Sequence, residues 1–97
     1  MEMFRQGDVL ITRIARLPAG LNERQSKIIL AGEVTGHAHR LVQGRVLEDA
    51  RGALFLEVLQ QTQVVHEEHR SLPLEPGSYQ ITRQREYAPE AIREIED

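Results

Sequence analysis

Turn residues interrupt this chain at short, regular intervals, and that spacing limits what it can fold into. Gly7, Pro18 with Gly20, Gly32, Gly36, Gly44, Gly52 and Pro76-Gly77 each mark a turn, because glycine reaches positive φ without steric cost and proline locks its own φ. The runs between these breaks are too short for confident helices and rich in β-branched or aliphatic residues. Residues 8–14, 27–31, 37–42, 45–48, 53–59, 64–66 and 78–87 read as strands, while 17–22 is a loop and 60–63 is polar and open to either assignment. Pro73 cannot donate to a ladder, so a strand around it belongs at an edge or a bulge. The pattern predicts an all-β fold over residues 1–97, a small barrel or sandwich of about six or seven short antiparallel strands. The period changes in 88–97. Pro89 suits a first helical turn, and Ala88, Ala91, Ile92 and Ile95 share a stripe, which predicts a short C-terminal helix docked on the sheet or on a partner.

All four histidines fall in two tight blocks. His37 and His39 lie in the stretch Gly32-Glu33-Val34-Thr35-Gly36-His37-Ala38-His39-Arg40, and His66 and His69 bracket Glu67-Glu68. Imidazole is the commonest metal ligand and titrates near neutrality. Residues one apart on a strand point the same way, so His37, His39 and Leu41 share a face. The second pair is three apart, an odd step. Either the strand ends inside Glu67-Glu68, or only one of His66 and His69 joins the first pair. Together the blocks predict one site in which His37, His39, His66 and His69 hold a divalent transition metal, with Glu67 or Glu68 as a carboxylate ligand or general base. An N/O donor set of this kind suits Zn, Ni, Fe, Cu or Mn. Four ordinary polar-face histidines, or one buried and three exposed, are the non-functional alternative.

His37-Ala38-His39 and the later Pro76-Gly77 turn resemble motifs of the cupins, small β-barrels that often hold a metal through His-x-His and a carboxylate. The chain departs from that pattern at Gln43, where the cupin glutamate would fall, and at Gln80, where the histidine after the Pro-Gly turn would fall. The resemblance implies a barrel with a metal on His37 and His39; three ligands and an open position on such an ion would allow hydrolytic or oxidative chemistry on a small molecule.

Composition narrows the other classes. With no cysteine, disulfides, thiolate metal sites and cysteine nucleophiles are excluded. A net charge of −3 argues against a general polyanion binder. Eleven arginines stand against the single Lys27, a bias that fits either planar recognition of phosphate and carboxylate or simple codon composition. Arg83 and Arg85 on the last predicted strand nevertheless open a second reading, metal-independent RNA cleavage or binding. There a histidine or Glu68 moves the proton and the arginines steady the phosphate. A third is a non-catalytic protein-interaction module with the acidic tail as its docking element. No leader and no membrane span are expected from the N-terminus or from any apolar run, which predicts a cytoplasmic protein. The modest core, with 40% apolar residues and no tryptophan, predicts a homo-oligomer.

Overall fold

Val9 and Ile11 are buried while Leu10 and Thr12 are only partly covered, the two-residue alternation by which a β-branched run becomes a strand. In the computed structural model, which describes residues 2–32 and 35–83, this run is the second of ten strands among those residues. They are β1 (Met3–Gln6), β2 (Val9–Ile14), β3 (Asn22–Glu23), β4 (Ile28–Ala31), β5 (Ala38–Leu41), β6 (Arg45–Glu48), β7 (Leu54–Val58), β8 (Thr62–Val65), β9 (Leu72–Leu74) and β10 (Gly77–Arg83). All pairing is antiparallel, in a six-stranded sheet ordered β1-β2-β10-β7-β6-β3 and a four-stranded sheet ordered β4-β5-β8-β9.

The all-β expectation holds, with more strands than the turn spacing implied. β1 and β3 are the outer strands of the larger sheet, and β3 is exposed at both residues, so pairing with β6 holds it rather than an apolar pattern of its own. β9, which carries Pro73, is an edge strand. The helix expected over 88–97 lies outside the described residues. Among the described residues no helix is long and apolar enough to cross a membrane.

The core lies between the sheets. Ile11, Leu56 and Tyr79 come from the larger one, and Ile29, Leu41, Val64 and Leu74 from the smaller. Each large apolar side chain buried here contributes about 1.5–3 kcal/mol. Tyr79 has the largest fully buried side chain; its hydroxyl escapes the apolar interior by donating to the Glu75 carbonyl at 2.5 Å.

Two local features place the site. A two-residue turn, Gly7-Asp8, joins β1 to β2, with Gly7 at φ 62°, as the first position of such hairpin turns requires. In β4 the register skips at Ile29, so Ile28 faces Arg40 and Leu30 faces His39. The ends of β1, β4, β8 and β10 and the starts of β2 and β5 thereby meet at one end of the sandwich.

Candidate metal centre

His39 sits in β5 with only 4% of its surface exposed, and burying an imidazole is unfavourable unless its ring nitrogens find partners. Its Nδ1 lies 2.8 Å from Oε1 of the equally buried Gln6. The Gln6 amide nitrogen donates to the carbonyls of Val64 (3.0 Å) and Arg70 (2.8 Å). Carbonyls only accept, so the amide group has one orientation and its oxygen must receive a proton from His39. The hydrogen of neutral His39 is therefore on Nδ1, and the lone pair is on Nε2. Burial chiefly, then the neighbouring His66 ring, holds the His39 pKa down from 6.5 to about 4, against the opposing pull of Asp8. At neutral pH the ring is uncharged, as a metal ligand must be.

Asp8 faces that lone pair. Its Oδ1 lies 3.8 Å from His39 Nε2, and its Oδ2 accepts from Arg83 Nε at 3.1 Å. Two acceptors thus confront one another with no hydrogen between them.

The second histidine block resolves itself by ending its strand early. β8 stops at Val65, so His66–His69 is a loop, free of strand alternation, and both histidines line the same cleft. The His66 and His69 rings lie 4.3 and 5.8 Å from that of His39, and 4.6 Å from one another. His69 packs on Gly7 so closely that a Cβ there would lie 2.7 Å from its Nε2. His66 Nδ1 accepts from the Glu68 N–H at 3.0 Å.

His37 lies one residue before β5, and its carbonyl still accepts from the Gly32 N–H at 2.8 Å. It still reaches the cleft, half-buried, with Nδ1 3.3 Å from Glu68 Oε2 and its ring edge-on to His66 at 5.8 Å. The cleft, about 200 Å³, is lined by the four histidines together with Asp8, Glu68, Arg83 and Thr35.

Glu67 points elsewhere. One oxygen accepts from the Ala38 N–H at 2.9 Å and the other from Arg40 at 3.2 Å. Backbone hydrogen bonds, first from Ala38 and then from its own N–H, hold its pKa down to about 2 from 4.5, with Arg40 adding to them. A carboxylate so engaged pins β5 and is a poor general base. His37, His66 and Glu67 do bring ligand atoms within 4.8 Å of one another, a shallower place for an ion. An ion there would compete with hydrogen bonds already made to Glu67, whereas His39 Nε2 and Asp8 Oδ1 have nothing to displace between them.

Residues 5–84 match a family described as a domain of unknown function, DUF8820. The chain belongs to that family. No curated protein and no solved structure matches it. The DUF8820 span takes in Gln6, Asp8, all four histidines and Arg83, so the whole cleft belongs to the family's own domain.

Of the expected site residues, the fold collects His37, His39, His66, His69, Glu68 and Arg83 in one cleft, sets the Glu67 carboxylate beside His37 and His66 but outside the cleft lining, and leaves Arg85 outside the described residues. Arg83 pairs with Asp8 rather than with Glu57 or Glu68; Glu57 is held by Arg45. Gln43 and Gln80, the positions where the cupin pattern would place a glutamate and a histidine, do not line the cleft. The carboxylate facing His39 comes instead from Asp8. Asp8 and Gln6 were both missed by sequence reasoning, and the one available signal was an acidic residue after glycine at a hairpin tip.

Proposed function

We propose that this domain binds one divalent transition metal in the histidine cleft, on His39 Nε2 and Asp8 Oδ1, with the rings of His66 and His69, which neighbour that of His39, turning inward to complete the set. One observation carries the reading: the Gln6 amide fixes the His39 tautomer so that a buried lone pair faces a carboxylate oxygen 3.8 Å away. Two such acceptors repel at neutral pH, and a cation between them would relieve that repulsion. Ligand atoms each about 2.1 Å from one ion are about 3.4 Å apart at the tetrahedral angle and at most about 4.2 Å apart, so the gap accommodates one. Gln6 takes the orienting role that carbonyls and carboxylates play behind metal-bound histidines. With nitrogen and oxygen donors and no sulfur, Zn, Ni, Fe, Cu and Mn all suit the set.

A divalent ion held with one position open supplies Lewis acidity for hydrolytic or oxidative chemistry on a small molecule. The chain's own groups would serve it from the rim. His37 and Glu68, 3.3 Å apart beside the cleft, are groups able to move a proton, and Arg83 offers positive charge to an anionic group. That pair and Arg83 also support a second reading, cleavage of RNA without an ion.

Elemental analysis of untagged protein tests the proposal. The expected result is about one equivalent of metal, lost in His39→Ala and in the surface-accessible Asp8→Asn, with the Asp8→Asn fold retained by circular dichroism. Absence of metal after incubation with each ion, together with RNA cleavage in EDTA, would replace the metal reading by the second one.

A further inference from the structure

Leu30 and Arg83 line two cavities: the histidine cleft and an adjoining one of about 160 Å³ whose other walls include Val9, Ile29, Leu54 and Ile81. Apart from Arg83, every residue lining the second cavity is apolar or glycine. Leu30, Leu54 and Ile81 pack on the core yet stay only partly buried, so they keep apolar surface turned to this space. An apolar cavity of about 150 Å³ holds a six-carbon ring.

We propose that the two cavities together bind a small monocarboxylate with an apolar body of about six carbons. The carboxylate sits at Arg83 and the metal position, and the hydrocarbon lies against Leu30, Leu54 and Ile81. The head-group half of this assignment rests on the metal reading; the apolar half does not.

Charge selects the head group. Arg83 spends Nε on Asp8, which leaves the N–H groups of both Nη atoms for a second planar carboxylate. A divalent ion and Arg83, set against the carboxylates of Asp8 and Glu68, leave one uncompensated positive charge. A monoanion neutralises it, and a dianionic phosphate would overcompensate in a cleft already walled by acidic groups. Arg83 stands where the polar and apolar spaces join, which is where the head of such a molecule meets its tail.

The test is an NMR chemical-shift titration of acetate, butanoate and hexanoate into untagged protein, once metal-free and once loaded with zinc. Affinity should rise about fourfold per methylene through hexanoate in both states, with zinc multiplying every value alike. Ala53→Leu, which fills the second cavity, should abolish the chain-length dependence while leaving acetate and zinc binding unchanged. Arg83→Gln should weaken all three acids by roughly tenfold. Nuclear Overhauser contacts from hexanoate to the methyls of Leu54 and Ile81 in the wild type give a readout independent of any variant's folding. Equal affinities for acetate and hexanoate, or contacts confined to other residues, would overturn the assignment. A chain-length dependence that persists in a protein binding no zinc would overturn the metal reading and leave the apolar subsite standing.

Discussion

Replacing Gln6 by methionine keeps the length and bulk of the side chain and removes every polar atom beyond the backbone. Three hydrogen bonds go with it: two from the amide to the Val64 and Arg70 carbonyls and one from His39 Nδ1 to the amide oxygen. The partners left behind are a buried imidazole N–H and two carbonyls, one of them in a part-buried bond. Each buried group so stranded costs about 1–3 kcal/mol, and better apolar contacts offset some of that, for a net loss of about 2–5 kcal/mol. Set against the 5–15 kcal/mol that holds a typical small domain together, the variant should fold but unfold at a clearly lower urea concentration. Metal affinity should fall by roughly 10–100-fold, because His39 loses the group that fixes its tautomer and ring orientation. Gln61→Met is the control: Gln61 is exposed and its amide donates to the Glu75 side chain, so its stability should change by less than about 0.5 kcal/mol. If Gln6→Met matched Gln61→Met in both urea midpoint and metal affinity, the reasoning about the buried amide would be wrong.

Three further outcomes follow from the same geometry. Burial holds His39 near 4 in the folded chain against 6.5 in the unfolded one, so between those values the unfolded chain binds the extra proton. Stability of the metal-free protein should therefore be complete above about pH 6.5 and decline as pH falls toward 4, by up to about 3 kcal/mol; a flat urea midpoint across that window contradicts this. Glu67, held at about 2, contributes stability that is present above its ordinary 4.5 and lost as pH falls through 2, and Glu67→Gln should remove that acid dependence from melting curves. Gly7→Ala should cost about 1–2 kcal/mol from its positive φ alone. It should also displace His69, whose ring leaves no room for the methyl group, and so weaken metal binding; unchanged binding would take His69 out of the site.

How much of this the sequence carried depends on the range of the interaction. Turn residues and short apolar runs act locally, so the β-rich class, the positions of β6 and β7, and the edge location of Pro73 were legible. The histidine blocks were legible as candidates for the same reason. Their facing was not. Whether His66 and His69 share a side depends on where β8 ends, and that end is not marked by any turn residue. The residues that orient and face His39 were beyond local reading altogether. Gln6 meets His39 across 33 positions, and Asp8 meets Arg83 across 75, through pairings that exist only once the β1–β2 hairpin folds against β5 and β10. In isolation Asp8 is an ordinary turn residue and Gln6 an ordinary polar one. Glu67 was legible as a neighbour of the histidines, but that β5 also engages its carboxylate through the Ala38 N–H was not.

The most direct test of the account locates the ion rather than counting it. Crystals of untagged protein soaked in zinc, with diffraction recorded on both sides of the zinc absorption edge, should give one strong anomalous peak between His39 Nε2 and Asp8 Oδ1, about 2.1 Å from the nitrogen. A peak among His37, His66 and Glu67 instead, or no peak in the cleft at all, would contradict it.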